Sequence, residues 1–414
     1  MSKTLLLAAL LWVGVAAHAE PDEDVLGKLQ NYPLGTAATW YNNPNRVGAW
    51  SALNKVPGIR TRVVARVPDA KALPRAAQAT EISYRYRNLS YTLSDYLARQ
   101  RTTGLLILKN GEIVAEHYRY GRTEDSRFLS FSMAKSVTSL LVGQAVSRGE
   151  ISSLDDTAEK YVKDLAGSPY GATTLRQLLR MSSGLTFTER YDGMDDIARL
   201  SRANAGVAGA GKPLDVLRSI NDRHSQAGEK FVYAGSETDV LGRVLVAATS
   251  KNMTELTSER LWKPMGAEHD AFWRIGVDGQ EQSYGAFNAS LRDWARLGLL
   301  LANDGKVGTA QILPYDYLQA ATNPALQPAA FKPRKATPYF GYGYQFWLMP
   351  FKERTFAMQG IHGQTVYVQP ATGLVMVLAS VWESASGKQD SLPYQERDAL
   401  WRGVLRSLGG STLE

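Results

Sequence analysis

Residues 130–148 read Ser-Phe-Ser-Met-Ala-Lys-Ser-Val-Thr-Ser-Leu-Leu-Val-Gly-Gln-Ala-Val-Ser-Arg, and this stretch decides how the rest of the chain is interpreted. Its apolar residues suit a buried helix: Val137, Leu140, Leu141 and Val146. We therefore predict a helix from Ser132 to about Arg148, which Gly149 ends. Ser132 starts this helix, and Lys135 lies one turn later on the same face.

Ser132 and Lys135 have the residue types and spacing of a nucleophile and its base. A serine is a poor nucleophile unless a neighbouring group takes its proton. A lysine can do so if burial and positive surroundings lower its pKa well below ~10.4. The helix N-terminus favours a serine alkoxide, and the Ser132 N–H can point into an oxyanion hole. The same spacing also fits Ser132 as a helix cap and Lys135 as a solvated side chain, so the motif alone does not decide between them.

A tyrosine motif follows about a hundred residues later. Residues 228–235 read Gly-Glu-Lys-Phe-Val-Tyr-Ala-Gly and place Tyr233 in a turn between two helices. A phenolate can relay a proton between a serine hydroxyl and a lysine amine if nearby cations lower the tyrosine pKa from ~10. The alternative is a packed aromatic side chain, which is the commoner role of a single tyrosine.

A polar, glycine-containing entry into a strand lies near the end of the chain. Residues 359–368 read Gln-Gly-Ile-His-Gly-Gln-Thr-Val-Tyr-Val. Such a strand can flank a substrate and give a second backbone donor to the oxyanion hole. The candidate substrate-binding residues here are His362, Gly363, Gln364 and Val366. His362 is either a contact for a substrate carboxylate or a structural histidine.

The surrounding pattern predicts an α/β (α+β) fold with a mostly antiparallel sheet. Asn110-Gly111 joins two apolar runs, 104–109 and 112–118, which is typical of a β-hairpin. Further strands are predicted at 342–348, 355–358, 365–369 and 374–380, and helices at 94–101, 175–181, 238–250, 290–303 and 395–408. Residues 192–211, rich in Gly, Ala and Asp, are expected to be a mobile loop.

These elements predict a domain organisation around one junction. The hairpin and the late strands must share a sheet. Residues 20–100 are expected to form an irregular arm, and residues 101–414 the catalytic domain. In that domain the sheet lobe covers 101–131 and about 280–414, and the helical lobe covers about 132–280. The candidate site lies where the two lobes meet.

Composition limits the classes of function. The chain has 414 residues, 44% of them hydrophobic and 21% charged, a net charge of +7 and no cysteine. Its basic residues form no stripe or run, so a nucleic-acid partner is not expected. No zinc-binding His-Glu-x-x-His, Gly-x-Ser-x-Gly elbow or phosphate-binding loop occurs, so we expect no metal, no cofactor and no α/β-hydrolase fold.

The first nineteen residues have the pattern of a secretory signal peptide. Lys3 precedes the apolar run 5–15, and Ala17-His18-Ala19 is a cleavage site of the A-x-A type. We therefore expect export to the periplasm or the medium. No later segment reaches ~18 uninterrupted apolar residues, so stable insertion in a membrane after cleavage is not expected.

In combination, these motifs resemble those of the serine β-lactamase and penicillin-binding-protein superfamily. Within it, the chain is similar to the class C β-lactamase and esterase branch, and most similar to the 6-aminohexanoate-dimer hydrolases. The stretches that carry the resemblance are 48–74, 131–136, 175–185, 187–191, 292–298 and 340–343. The resemblance implies a β-lactamase-like fold, with Ser132 as nucleophile, Lys135 as its proton partner and Tyr233 as the acid/base relay. It also implies that Tyr191 is a mobile-loop residue that hydrogen-bonds the scissile amide.

Two departures from the superfamily pattern bear on the substrate. The Tyr-x-Asn of penicillin-recognising enzymes is Tyr233-Ala-Gly235 here, and no Lys-Thr-Gly or His-Thr-Gly triplet is present. Both departures favour linear amides or esters, in a small molecule or a short peptide-like substrate, over penicillins. The first alternative is a penicillin-interacting DD-peptidase or a class C-like β-lactamase. The second, of another class, is a non-catalytic binding protein on the same fold.

Overall fold

The computed structural model describes residues 19–78 and 80–414. The signal peptide is predicted at residues 1–19, and all of it except Ala19 lies outside the described residues. In the described part of the chain, no helix combines the length and the apolar character needed to cross a membrane.

Fifteen strands are formed by the described residues. They are β1 (Thr61–Val64), β2 (Ser83–Tyr86), β3 (Leu89–Thr92), β4 (Thr102–Lys109), β5 (Glu112–Tyr118), β6 (Phe128–Leu129), β7 (Ala271–Arg274), β8 (Phe287–Ala289), β9 (Lys306–Val307), β10 (Ala310–Gln311), β11 (Gly341–Tyr342), β12 (Trp347–Leu348), β13 (Phe356–Gly360), β14 (Gln364–Gln369) and β15 (Leu374–Ser380).

Eleven α-helices accompany these strands in the same residues. They are α1 (Arg46–Ser51), α2 (Leu93–Arg99), α3 (Ala134–Ser147), α4 (Leu175–Leu179), α5 (Asp196–Asn204), α6 (Pro213–Arg218), α7 (Gly235–Thr249), α8 (Met253–Thr257), α9 (Leu291–Ala302), α10 (Tyr315–Thr322) and α11 (Leu392–Ser407). A single 3-10 turn, Phe131–Met133, leads into α3.

The main sheet has seven antiparallel strands in the order β11-β12-β13-β14-β15-β4-β5. The early hairpin therefore joins the late strands, as the sequence predicts. Its turn residues Asn110 and Gly111 have φ values of 50° and 84°, the left-handed conformation that a two-residue hairpin turn requires.

Both faces of the main sheet are buried. In β4, Leu106 and Leu108 belong to a core that also contains residues of α3, α7 and α9. Leu105 and Ile107, which alternate with them, belong to a second core that contains residues of α11. Successive side chains of a strand point to opposite faces, so this arrangement explains the uninterrupted apolar run 105–108.

A second sheet links the early part of the chain to the body. Its order is β1-β7-β8-β6, and β1 pairs antiparallel with β7 over four residues. Residues 20–100 are thus bound to the rest of the molecule through backbone hydrogen bonds as well as side-chain packing. A third core, which includes Trp50 and Phe131, lies between this early segment and the start of α3.

Three local expectations differ from the structure. Residues 196–204 form α5 rather than a loop, because Asp195 caps the helix through the Ala198 N–H and Leu200 is buried. The helix predicted at 94–101 covers Leu93–Arg99, and the side chain of Thr92 caps it. The single strand at 342–348 is two short strands, β11 and β12, separated by a turn in which Gln345 has a φ of 64°.

Candidate active site

Ser132 lies in the 3-10 turn that leads into α3, at the junction of the two sheets and the helical layer. The residue before it, Phe131, is buried and has a φ of 42°, an uncommon conformation for a residue with a side chain. Non-glycine residues with positive φ are frequent at functional sites, because the surrounding structure must hold them there. Here the turn presents Ser132 half-buried at the wall of a cavity while Phe131 packs inward.

Lys135 is buried directly below Ser132. Its side-chain nitrogen lies 3.0 Å from the Ser132 hydroxyl oxygen and donates a hydrogen bond to the Tyr284 carbonyl at 2.6 Å. Only 2% of the residue is exposed, and burial lowers the pKa of Lys135 from 10.5 to about 8. The structure therefore brings these two residues within proton-transfer distance, and it supplies the burial that makes a lysine a base.

Glu189 is a further ionisable group of this site, and sequence reasoning gave it no role. Its carboxylate raises the pKa of Lys135 and so opposes part of the effect of burial. Burial in turn raises the pKa of Glu189, while Lys135 and two hydrogen bonds favour its charged form. Those hydrogen bonds come from the Gly235 N–H and, at 2.8 Å, from the Tyr191 hydroxyl. Glu189 lies in the stretch 187–191 that carries the family resemblance, and this position was the one feature of the sequence that pointed to a role for it in the site.

Tyr233 lies two residues before α7 and lines the larger of the cavities that meet at Ser132. Its ring stacks on Trp347 at a centroid distance of 5.5 Å, and the Lys135 nitrogen lies 5.1 Å from its ring centroid. Burial and the Glu189 charge raise the pKa of Tyr233, although its interaction with the Ser132 hydroxyl acts in the opposite direction. The lowered pKa that a tyrosine relay would need is therefore not found, because burial and the Glu189 charge together outweigh the interaction with Ser132. Tyr233 is a neutral phenol at ordinary pH.

Tyr191 is held at the entrance of the site. It has a φ of 61°, and its backbone N–H donates to the Asp195 carboxylate at 2.7 Å. Its hydroxyl donates to Glu189, so the ring has one fixed orientation at the cavity wall.

The late strand reaches Ser132 at Gly360, three residues before the glycine singled out from the sequence. A methyl group on Gly360 would lie 2.3 Å from the Ser130 carbonyl oxygen and 3.1 Å from the Ser132 nitrogen. Only glycine therefore allows the end of β13 to approach the Ser132 backbone this closely.

The four late residues predicted to bind substrate lie behind the cavity rather than in its wall. The ring nitrogens of His362 bond to the Tyr41 hydroxyl at 2.5 Å and the Trp382 carbonyl at 2.7 Å, and burial lowers the pKa of His362 to about 3. The Gln364 amide donates to the Ser380 carbonyl. Val366 is in the core, and Gly363 packs close to Trp382. These contacts fit the alternative in which His362 is a structural histidine rather than a contact for a substrate carboxylate.

Two cavities meet at Ser132, with volumes of about 360 and 620 Å³. Four residues line both cavities: Ser132, Glu189, Tyr191 and Ile361. The smaller cavity extends towards the early segment, where Trp40 and Tyr41 form part of its wall. The larger one extends towards Trp347, on the side of Tyr233. A substrate whose reacting carbonyl is at Ser132 therefore has room for one arm on each side.

The acidic residues 192, 195 and 196 do not form a cation site. Asp195 accepts hydrogen bonds from backbone N–H groups, Asp196 from Thr188, and Asp192 from the Arg190 side chain. Across residues 19–78 and 80–414, no three His, Asp or Glu side chains are grouped to hold a metal ion.

Comparisons with known proteins show the family to which this chain belongs. The model of the family described as Beta-lactamase matches residues 89–400. The 6-aminohexanoate-dimer hydrolase of Paenarthrobacter ureafaciens is 25% identical over 354 residues, which cover 84% of this chain and 88% of that protein.

Solved structures share the fold. A 6-aminohexanoate-dimer-hydrolase-like protein from Bacillus anthracis superposes with a TM-score of 0.80 at 24% identity, covering 92% of this chain and 98% of that one. The hydrolase EstCE1, described as having promiscuous acyltransferase activity, superposes with a TM-score of 0.58 at 16% identity, covering 73% of this chain and 94% of that one.

Proposed function

This chain belongs to the Beta-lactamase family and is a serine hydrolase of that superfamily, and we propose that it cleaves linear amide or ester bonds through an acyl-enzyme on Ser132. The observation that carries the proposal is the 3.0 Å contact between the Ser132 hydroxyl and the buried amine of Lys135. A lysine with a pKa of about 8 is neutral in a useful fraction of molecules near neutral pH, and only the neutral amine can accept a proton.

Acylation begins when the neutral amine of Lys135 accepts the Ser132 proton. The serine oxygen forms a bond to the substrate carbonyl carbon, and the carbonyl π pair moves to its oxygen. The Ser132 N–H and a backbone N–H of the segment 360–361 then donate hydrogen bonds to that oxyanion. The close approach of Gly360 to the Ser132 nitrogen supports this assignment. The Tyr284 carbonyl accepts one amine hydrogen of Lys135 and so helps to hold the amine 3.0 Å from the Ser132 hydroxyl oxygen.

Leaving-group departure requires a proton donor, and Tyr233 fits that role. Its raised pKa keeps it a phenol, so it can give a proton to the departing nitrogen or oxygen as the bond to the carbonyl carbon breaks. The Tyr233 phenolate then regains a proton from the Lys135 ammonium, so both groups are neutral in the acyl-enzyme. Neutral Lys135 accepts a proton from water as the water oxygen bonds to the acyl carbon, and the Lys135 ammonium gives that proton to the Ser132 oxygen as the ester bond breaks and the acid product leaves.

The packing around Gly235 supports linear substrates over penicillins. A methyl group on Gly235 would lie 2.7 Å from a Glu189 carboxylate oxygen and 3.1 Å from Ile197. Glu189 therefore occupies the space of the asparagine that penicillin-recognising enzymes are expected to have here. The two-armed cavity also suits an extended molecule better than a compact bicyclic one.

Two measurements test the proposal. In the first, the protein is labelled with a fluorophosphonate, and mass spectrometry of the intact protein counts the labels. In the second, turnover of a short 4-nitrophenyl ester is followed through the release of nitrophenol. Wild type is expected to gain one label and to release nitrophenol, and Ser132→Ala to do neither. Ser94→Ala is the matched control, since Ser94 is exposed on α2 and should behave as wild type. Equal activity of Ser132→Ala and wild type would refute the proposal.

A fluorescent penicillin distinguishes the enzymatic alternatives. We expect no stable adduct with wild type, because Glu189 replaces the asparagine side chain. An adduct that disappears in Ser132→Ala would keep Ser132 as nucleophile and support the penicillin-interacting alternative. No reaction with any acyl donor would support a non-catalytic binding protein.

A further inference from the structure

An arginine without a partner lies in the smaller of the two cavities. Arg274 ends β7 and lines that cavity. Among the described residues, its guanidinium makes no hydrogen bond and no ion pair, whereas Arg202 in the same cavity donates to the Gly193 carbonyl and Arg190 in the other cavity pairs with Asp192. Burial lowers the pKa of Arg274, and no carboxylate among the described residues counters this effect. A guanidinium stays charged in proteins, so a half-buried guanidinium without an anionic partner is suited to bind an anionic group of a ligand.

A second unpartnered donor lies in the same cavity. Gln282 is only 5% exposed and lines the cavity, and its side-chain Nε2 atom has no hydrogen-bond partner among the described residues. Its backbone N–H donates to the Arg274 carbonyl at 2.9 Å, so the two residues are direct neighbours. Buried amide groups usually have hydrogen-bond partners, because an unpaired buried donor loses its hydrogen bonds to water without replacement.

The acidic residues of this cavity do not compete for these donors. Glu189 accepts from the Gly235 N–H and the Tyr191 hydroxyl. Asp195 accepts from the backbone N–H groups of residues 190, 191 and 198. Neither carboxylate forms an ion pair with Arg274.

The early segment keeps the arginine in place. The guanidinium carbon of Arg274 lies 5.5 Å from the Trp40 ring centroid, within the range of a cation–π contact. This contact holds the flat guanidinium against an apolar wall and leaves its N–H edge free for a planar anion. A carboxylate matches that fork with two parallel hydrogen bonds.

We propose that Arg274 and Gln282 bind a carboxylate at the end of the substrate arm that enters the smaller cavity. This inference rests on the proposed function, since it assumes that the reacting carbonyl is at Ser132. It narrows the substrate to linear amides or esters in which an apolar chain separates the scissile bond from a carboxylate. The apolar stretch of the arm lies along the aromatic residues of this wall, Trp40, Tyr41, Phe131 and Tyr284.

The test compares substrates that differ only in that terminal charge. In the first panel, the carboxylate belongs to the acyl group that is transferred to Ser132. Its members are 4-nitrophenyl monoesters of dicarboxylic acids of increasing length, and each is paired with a neutral form in which the free carboxylate is a methyl ester. In the second panel, the carboxylate belongs to the leaving amine: its members are N-acyl-ω-amino acids, each paired with its neutral methylamide. For wild type we expect about a ten- to hundredfold higher kcat/KM for the charged member in one panel, the range of a charge-assisted hydrogen bond.

Variants assign the preference to its residues. Arg274→Gln should abolish the preference, so that the charged and neutral members of a pair have equal kcat/KM values, and Arg274→Lys should restore part of it. Gln282→Leu should reduce the preference by a smaller factor. Thermal unfolding shows whether each variant folds, and the wild-type ratio, together with its decrease at high salt, tests the inference without any variant.

The outcomes separate this inference from the proposed function. Turnover of neutral and charged members at equal rates in both panels, with Ser132→Ala inactive, would overturn carboxylate recognition and leave the hydrolase in place. A preference that Arg274→Gln retains would also overturn it. Failure of wild type to acylate with any member would refute the proposed function itself.

Discussion

Lys135 and Glu189 both line the cavity beside Ser132, and the charge of each residue shifts the pKa of the other towards its charged form. Burial acts in the opposite sense on both, lowering the pKa of Lys135 and raising that of Glu189. The base strength of Lys135 is therefore a balance between loss of water and one fixed carboxylate. This balance determines the pH at which the site can take the Ser132 proton.

The first prediction concerns the acidic limb of the pH profile. Protonated Lys135 cannot accept the Ser132 proton, so kcat/KM should rise with pH through an apparent pKa of about 8. The raised pKa of Tyr233 keeps that residue neutral through the same range. Ester turnover measured from about pH 6 to pH 9 checks this. A flat profile over that range would contradict Lys135 as the base.

The second prediction concerns Glu189→Gln. Removing the carboxylate removes the charge that raises the pKa of Lys135, so the limb should move to lower pH. The amide oxygen of the Gln can accept from the Gly235 N–H, and its NH2 group can donate to the Tyr191 hydroxyl oxygen in place of the hydrogen bond that the carboxylate accepts from that hydroxyl. The shift in apparent pKa of kcat/KM is the readout. The control is Glu353→Gln, a change at an exposed loop residue, which should leave the apparent pKa of kcat/KM unchanged. A shift of that pKa to higher pH in Glu189→Gln would contradict the effect of Glu189 on Lys135.

The third prediction concerns Tyr233→Phe. The change removes the proposed proton donor and keeps the ring that stacks on Trp347. We expect kcat to fall by about 10²–10⁴-fold, the usual contribution of a positioned acid or base. Labelling of Ser132 by a fluorophosphonate, whose leaving group needs little assistance, should fall much less. An unchanged kcat for amides would exclude Tyr233 from proton transfer.

The fourth prediction concerns Gly360→Ala. The added methyl group would meet the Ser130 carbonyl oxygen at 2.3 Å, so β13 must move away from Ser132. Loss of one oxyanion donor lowers kcat by about 10²–10³-fold, and the forced backbone shift costs about 1–3 kcal/mol of stability. Acylation rate and thermal unfolding measure the two effects. A variant that acylates at the wild-type rate would show that this approach is not needed for catalysis.

The fifth prediction concerns a buried acid outside the site. Burial raises the pKa of Glu237 from 4.5 to about 8, and one of its carboxylate oxygens has no partner among the described residues. Since the folded-state pKa is above the unfolded value, stability is lost as pH rises from 4.5 through about 8. Glu237→Gln should therefore be more stable than wild type by about 3 kcal/mol near pH 7.

The pH dependence of that stabilisation is its control. The gain of Glu237→Gln should vanish below about pH 4, where the wild-type carboxyl is protonated in both states. Thermal unfolding of both proteins across this range measures the difference. A gain that is independent of pH would indicate a packing effect instead of an ionisation effect.

Short-range patterns account for the parts of the structure that the sequence predicted well. The Asn110-Gly111 turn, the apolar runs that build the main sheet and the helix that follows Ser132 each depend on neighbouring residues. The contact between Ser132 and Lys135 follows from three-residue spacing within one helical segment. For these elements, periodicity and turn chemistry are sufficient.

Long-range contacts account for what the sequence did not predict. Glu189 acts on Lys135 only because the chain returns to the start of α3, and no local pattern encodes that distance. Whether the pKa of Tyr233 is raised or lowered depends on how completely the fold excludes water from its ring. His362 is adjacent in sequence to Ile361, which lines both cavities, yet a φ of 60° turns its ring towards Tyr41 and Trp382.

The contribution of Trp40 and Tyr41 to the smaller cavity has a practical meaning for anyone who prepares this protein. A recombinant fragment trimmed to residues 89–400, the region that defines its family, would retain Ser132, Lys135, Glu189 and Tyr233 but lack one wall of the chamber. Such a fragment would also lose β1, the antiparallel partner of β7, and Arg274 at the end of β7 would lose its contact with Trp40. An expression fragment that keeps this chamber intact must therefore include the leading segment.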